Sequence, residues 1–129
     1  MINELIARAT EARDRAIAPY SSFKVGAALL TKNGEIYEGC NVESASYGLT
    51  MCAERVALLK ALSEGERAFS DIAVVTDAQV LTPPCGACRQ LLWEYCGDIS
   101  VILHSTRGVE ETYQLSQLIP HPFDSKNLT

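Results

Sequence analysis

Three cysteines and one glutamate have the types and spacing that could do chemistry. Cys85 and Cys88 form a C-x-x-C pair, Cys52 lies upstream of it, and Glu54 follows Cys52 by two positions. Thiolates are common zinc ligands, and three protein ligands leave a tetrahedral ion with one open position, as catalytic sites require. These residues therefore predict a catalytic zinc site with Cys52, Cys85 and Cys88 as the metal ligands.

Glu54 is suited to handle protons beside that open position. The sequence predicts that Cys52 and the C-x-x-C pair each begin a helix, where free N–H groups and the helix dipole favour thiolate. Glu54 would lie on the first turn of the same helix as Cys52, close enough to accept a proton from a metal-bound water and pass it on. The order C-x-E followed by P-C-x-x-C is the signature of zinc deaminases.

Two other interpretations of the cysteines remain open at this point. The C-x-x-C pair could be a thioredoxin-like redox motif, although Cys52 and Glu54 would then have no role. It could instead be half of a structural zinc site that a fourth ligand closes. The candidates for that ligand are Cys40, Cys96, His104 and His121. We expect both further cysteines to be small buried hydrophobic side chains and both histidines to be structural.

The composition excludes several classes of function. The chain has 129 residues, 47% of them hydrophobic and 21% charged, and a formal net charge of -5. This size predicts a single domain, residues 1–129, and the acidic balance argues against binding to nucleic acid or to an anionic membrane surface. No apolar run is long enough to cross a membrane and no signal peptide is evident, so we expect a cytoplasmic protein.

Hydrophobic periodicity predicts elements that alternate between helices and strands. The predicted strands are 25–31, 35–41, 72–75, 101–103 and 110–114, and the predicted helices are 1–16, 52–64, 85–95 and 115–119. Asn33-Gly34 predicts a tight hairpin turn with positive φ at both positions. Two strand–helix–strand crossovers then imply a mixed α/β sheet with helices on both faces.

Four segments, two of which contain the zinc motif, resemble the small, homotetrameric zinc cytidine deaminases of pyrimidine salvage. They are APYSSFKVGAA (18–28), GCNVE (39–43), CAER (52–55) and PCGACRQ (84–90), and the resemblance extends from about residue 18 to 123. It implies a three-layer α/β/α sandwich with a mixed, roughly five-stranded sheet. It also implies one zinc ion per chain and hydrolytic deamination of cytidine and 2′-deoxycytidine, with Glu54 as the proton shuttle.

The same resemblance assigns roles to residues that would contact the nucleoside. Phe23 would stack on the pyrimidine; a phenylalanine by itself could equally be a core aromatic side chain, but the surrounding segment favours stacking. Asn41 and Glu43 would bind the ribose 3′-hydroxyl, where the simpler interpretation is a solvated strand end. The backbone N–H of Ala53 would meet the base carbonyl, and Glu54 would meet N3 and the exocyclic amine.

Three further residues complete the expected site. Three thiolates and one zinc ion sum to a charge of about -1, which weakens the metal as an acid. Arg55 would draw charge from Cys52 and offset this effect, or it could simply form a surface ion pair. Tyr47 and Phe123 resemble residues that the family contributes to the site of a neighbouring subunit.

Two alternatives to a nucleoside deaminase also remain open. A related deaminase could act on a blasticidin-type antibiotic or on a nucleotide, but we find no cluster of Arg or Lys that would bind a phosphate. A zinc-stabilised interaction module would need a fourth protein ligand and would have no use for Glu54.

Overall fold

Five strands form one mixed sheet in the order β2-β1-β3-β4-β5. The computed structural model describes residues 1–128. Its strands are β1 (Gly26–Thr31), β2 (Ile36–Cys40), β3 (Phe69–Thr76), β4 (Ser100–Ser105) and β5 (Glu110–Gln114). β1 is antiparallel to both of its neighbours, β3 and β4 are parallel, and β5 is antiparallel to β4.

Helices cover both faces of this sheet, as predicted. The helices are α1 (Ile2–Arg13), α2 (Ala53–Ser63), α3 (Gly86–Cys96) and α4 (Leu115–Leu118), with 3-10 segments at Tyr47–Leu49 and Ser125–Leu128. α1 packs on one face through Leu5 and Ala9, and α2 and α3 pack on the other through Leu58 and Leu92. None of the helices in the described range has the length and apolar character needed to cross a bilayer.

The turn between β1 and β2 differs from the prediction. The hairpin forms, but only Gly34 has a positive φ, of 90°, and Asn33 does not. The N–H of Gly34 donates to the carbonyl of Thr31 at 3.1 Å, and the N–H of Thr31 donates to the carbonyl of Glu35 at 2.9 Å. The connection is therefore longer than a two-residue turn, and it needs one left-handed residue rather than two.

Two glycines let helices approach the sheet closely. A Cβ atom on Gly26 would lie 2.0 Å from the carbonyl oxygen of Ala9 in α1. A Cβ atom on Gly39 would lie 2.4 Å from the carbonyl oxygen of Ala53 and 2.5 Å from the nitrogen of Ala57, both in α2. Gly39 thus sets the distance between β2 and the first turn of α2.

The crossovers bring the starts of α2 and α3 to the same edge of the sheet. β2 and β3 are each antiparallel to β1, so β2, β3 and β4 all run in one direction. α2 follows β2 and α3 follows β3, and both helices pack on the same face. Their N-termini therefore meet at the carboxyl ends of these strands, which is the usual position of a site in an α/β protein.

Candidate metal centre and adjoining cavity

The three predicted metal ligands lie together at this edge. Cys52 and Cys85 are the residues just before α2 and α3, and Cys88 lies in the first turn of α3. Their Sγ atoms all lie within 4.8 Å of one another, at 3.5 Å for Cys85–Cys88 and 3.9 Å for Cys52–Cys85. A tetrahedral zinc with Zn–S bonds of about 2.3 Å places its sulfurs ~3.8 Å apart, so the three thiols fit a zinc ion.

The candidates for a fourth protein ligand lie elsewhere. Within residues 1–128, no other Cys, His, Asp or Glu joins this group of sulfurs. Nδ1 of His104 lies 2.8 Å from a carboxylate oxygen of Glu110, and His121 is exposed. Cys96 packs against the core, and both Cys96 and Cys40 are partly rather than completely buried, so the expected burial of these two side chains is only partial. Three ligands fit a catalytic zinc better than a structural one.

Hydrogen bonds stabilise the thiolate form of Cys52. The Cys88 thiol and then the Arg55 guanidinium lower the pKa of Cys52 to about 5, against the opposing effect of burial. Nη2 of Arg55 lies 3.5 Å from Sγ of Cys52, so of the two interpretations of Arg55 the structure contains the contact with the thiol. The hydrogen bond between Cys88 and Cys52, together with burial, raises the pKa of Cys88. These contacts favour the thiolate form of Cys52, which is the form that binds a zinc ion.

Glu54 lies next to these sulfurs and is buried. Glu54 is the second residue of α2, two positions after Cys52, and it is only 5% exposed. Burial raises the pKa of Glu54 to about 7, with the charge of Cys52 as a smaller contribution in the same direction. A carboxyl group with a pKa near neutral can both accept and release a proton during turnover.

A cavity of about 230 Å³ opens beside the metal centre. The predicted residues Phe23, Asn41, Ala53 and Glu54 line it together with the ligands Cys52 and Cys85. As the first residue of α2, Ala53 has a backbone N–H with no partner inside the helix. The cavity therefore combines an aromatic ring, backbone and carboxyl polar groups and the thiols in one small space.

The remaining predicted residues lie outside this cavity. Glu43 and Tyr47 line a more open hollow of about 430 Å³, and Thr50 lines both spaces. Tyr47 is 76% exposed and its ring makes an edge contact with Tyr20, with the centroids 6.2 Å apart. Phe123 is 58% exposed and lines neither space, although its carbonyl accepts a hydrogen bond from the Gln90 amide.

Asn41 and Glu43 already have partners within the protein, which the sequence did not indicate. The Asn41 amide donates to the carbonyl of Phe23 at 2.8 Å and accepts from the N–H of Val25 at 2.9 Å. The Glu43 carboxylate accepts from the backbone of Tyr20 and from Ser21, and the Ser21 hydroxyl is the main cause of the lowered pKa of Glu43. Both side chains thus hold the segment that carries Phe23.

Arg89 is a further residue whose role the sequence did not reveal. Its Nε donates to the carbonyl of Pro84 at 2.7 Å, and its Nη1 donates to the carbonyl of Leu118 at 2.7 Å. Arg89 therefore fixes the loop directly before Cys85 and ties it to the end of α4. The only signal in the sequence was its presence in the PCGACRQ segment.

Comparison with known proteins assigns this arrangement to a family. Residues 1–104 match the family model of the cytidine and deoxycytidylate deaminase zinc-binding region. The chain belongs to this family. Among curated relatives of these deaminases, the cytidine deaminase of Sporosarcina psychrophila is 45% identical over 129 residues, covering 99% of this chain and 95% of the relative. That of Halalkalibacterium halodurans is 50% identical over 125 residues, covering 96% and 95%.

A solved structure of a deaminase shares the fold. The crystal structure of cytidine deaminase from Burkholderia pseudomallei superimposes with a TM-score of 0.92 at 46% identity, covering 95% of this chain and 99% of that one. The mixed five-stranded sheet with four helices is therefore the cytidine deaminase fold, as the sequence predicted. The family match and the cluster of three cysteines together support zinc as the cofactor.

Proposed function

We propose that this chain is a zinc-dependent cytidine deaminase that acts in pyrimidine salvage. It hydrolyses free cytidine and 2′-deoxycytidine to uridine and 2′-deoxyuridine and releases ammonia. The observation that carries this proposal is the buried Glu54 carboxyl, which lines the 230 Å³ cavity beside the thiols of Cys52 and Cys85. The curated relatives named cytidine deaminase, which match nearly the whole chain, support the same substrate class.

Glu54 performs the proton transfers of this reaction. Cys52, Cys85 and Cys88 hold the zinc ion, which when bound supplies the Lewis acidity that makes water nucleophilic near neutral pH. Glu54 accepts a proton from the attacking water and delivers it to N3, which makes C4 of the pyrimidine more electrophilic. Once the water oxygen has bonded to C4, Glu54 takes the remaining proton of that oxygen and transfers it to the amino group, so that the C4–N bond breaks and ammonia leaves. One carboxyl group serves in turn as base and acid.

The cavity walls recognise the nucleoside. Phe23 stacks on the pyrimidine ring, and the backbone N–H of Ala53 donates to the base carbonyl, which excludes a base without an acceptor there. Asn41 and Glu43 bind the ribose 3′-hydroxyl, which cytidine and 2′-deoxycytidine share. Arg55 offsets the charge of the three thiolates through its contact with Cys52.

The working enzyme is a homotetramer in the cytoplasm, and residues 1–129 form one catalytic domain. Tyr47 and Phe123 are exposed on this chain, which suits residues that complete the site of a neighbouring subunit. The cytoplasm suits a site made of three thiols, because that compartment keeps cysteines reduced.

Ammonia release from a panel of substrates tests this proposal. The zinc-loaded protein is incubated with cytidine, 2′-deoxycytidine, cytosine, cytidine monophosphate and a blasticidin-type antibiotic. We expect turnover of the two nucleosides, accompanied by the ultraviolet change from cytosine to uracil base. Turnover of the monophosphate or the antibiotic in preference to the nucleosides would assign another substrate, and inactivity on both nucleosides would refute the proposal.

A further inference from the structure

The segment that carries Phe23 has little regular structure of its own. Residues 18–25 lie between α1 and β1 and belong to neither. Within it Ser22 has a φ of 58°, a left-handed conformation that a residue with a side chain adopts only at some cost. The place of the Phe23 ring at the cavity therefore depends on side-chain hydrogen bonds, from within the segment and from outside it.

Side chains hold both backbone polar groups of Phe23. Its N–H donates to Oγ of Ser21 at 3.0 Å, and its carbonyl accepts from the Asn41 amide at 2.8 Å. The Asn41 carbonyl oxygen in turn accepts from the N–H of Val25 at 2.9 Å. Asn41 thus fixes the side of Phe23 that leads into β1, and Ser21 fixes the other side.

Ser21 itself is held by Glu43. The Ser21 hydroxyl donates to one carboxylate oxygen of Glu43. The other carboxylate oxygen accepts from the backbone N–H groups of Tyr20, at 2.9 Å, and Ser21, at 3.1 Å. Because its one hydroxyl hydrogen points at Glu43, Ser21 must present a lone pair to Phe23. A continuous chain of hydrogen bonds therefore connects the Glu43 carboxylate to the backbone of Phe23.

We propose that Ser21 is a positioning residue that places the Phe23 ring on the pyrimidine by linking the Phe23 backbone to Glu43. This inference rests on the proposed function, because it needs a base for Phe23 to stack on. Asn41 and Glu43 keep spare hydrogen-bonding capacity for a sugar hydroxyl, since the amide has a second N–H and the carboxylate has free lone pairs. The side chains that bind the sugar therefore also hold the ring that binds the base.

Steady-state kinetics of Ser21→Ala on two substrates tests this role. Stacking acts equally on the bound substrate and the transition state, so its loss raises KM and leaves kcat unchanged. We expect KM to rise roughly fivefold to tenfold, the usual effect of one hydrogen bond. The rise should be equal for cytidine and for 3′-deoxycytidine, because Ser21 acts through the base and not through the 3′-hydroxyl.

Two further variants separate the hydroxyl from the shape of the side chain. Ser21→Thr keeps the hydroxyl and should retain a wild-type KM. Ser21→Val has the same shape as Ser21→Thr but lacks the hydroxyl, so it should behave like Ser21→Ala. Ser44→Ala is the matched control, because Oγ of Ser44 accepts the N–H of the residue two positions later, Ser46, at 3.1 Å. It makes no contact in the chain from Glu43 to Phe23 and should leave both constants unchanged.

The possible failures are distinguishable. A Ser21→Ala enzyme with an unchanged KM overturns the positioning role and leaves the proposed function intact. A rise in KM with cytidine that is absent with 3′-deoxycytidine also overturns it, since Ser21 would then act through the sugar contact of Glu43. A fall in kcat alone contradicts it as well. A wild-type protein inactive on cytidine overturns the proposed function, and the positioning role falls with it.

Discussion

Glu54 is the single side chain on which the chemistry most depends. Replacing it by glutamine keeps its size but removes the proton shuttle. We expect Glu54→Gln to retain one zinc ion per chain, because the three thiols are unchanged, and to lose at least about 100-fold in kcat. Metal analysis and ammonia release on the same preparation check both expectations. A variant that loses its zinc, or that remains active, would contradict the role assigned to Glu54.

At the residue level, the sequence identified side chains whose chemistry is tied to a motif. Cys52, Cys85 and Cys88 lie together as predicted, because all three are at the starts of α2 and α3. The sequence could not show that Asn41 and Glu43 bind residues 20–25, because those bonds join positions 16 to 23 residues apart in sequence. The role of Ser21 was hidden for the same reason.

At the level of elements, α2 carries Glu54 and the backbone N–H of Ala53, and Gly39 sets the distance between this helix and β2. The Cβ of an alanine there would lie 2.4 Å from a backbone oxygen of α2, so the helix would have to move. We expect Gly39→Ala to lower the free energy of unfolding by about 2–3 kcal/mol. Urea denaturation measures this, and Gly48→Ala is the control, because a Cβ on Gly48 meets nothing within 4 Å. Equal stability of the two variants would contradict this role of Gly39.

Glu38 in β2 forms ion pairs with Arg8 in α1 and with Arg15 just after it, and these ion pairs make stability depend on pH. Burial alone would raise the pKa of Glu38, but hydrogen bonds from Arg8 and Arg15 outweigh it and hold the pKa below its usual value. As the pH falls, Glu38 is protonated in the unfolded chain before it is protonated in the folded chain. The stabilisation that these ion pairs provide is therefore complete above the unfolded pKa of about 4.3. It is lost as the pH falls through the lower folded value.

We therefore expect Glu38→Gln to be less stable than the wild type at neutral pH and to approach it in acid. Urea denaturation at about pH 7 and about pH 3 measures the difference. Glu35→Gln, on the exposed turn of the hairpin, is the control and should change stability little at either pH. A gap between wild type and Glu38→Gln that stays constant with pH would contradict the prediction.

Helices and strands were predictable where the hydrophobic pattern was strong. The apolar runs 72–75 and 101–103 lie within the buried strands β3 and β4, and Gly65, Gly97 and Gly108 all take positive φ at predicted helix ends or turns. The strand at Glu110–Gln114 also forms as predicted, although most of its residues are exposed. The hairpin turn was misjudged at Asn33, because the length of the loop and not the dipeptide alone decides which residues become left-handed. The order of strands within the sheet depends on contacts that a local pattern does not contain.

At the level of the whole molecule, the exposure of Tyr47 predicts sites shared between chains. Chains with Glu54→Ala and chains with Tyr47→Ala should each be nearly inactive alone. When the two are unfolded and refolded together, about a quarter of the sites should receive an intact residue from each kind of chain. Recovery of activity on mixing checks this, and refolding each variant alone is the control. No recovery would mean that Tyr47 serves its own chain or none.

The metal ligands lie at the starts of α2 and α3, and β3 separates these two helices in sequence. The three thiols therefore come together in stages during synthesis. A nascent chain that ends before Cys85 presents only one of the three thiols, and the C-x-x-C segment by itself presents two. The full set forms only after β3 has entered the sheet and α3 has packed beside α2. Tight metal uptake therefore reports that this part of the fold is complete, because a preformed site does not exist in the unfolded chain.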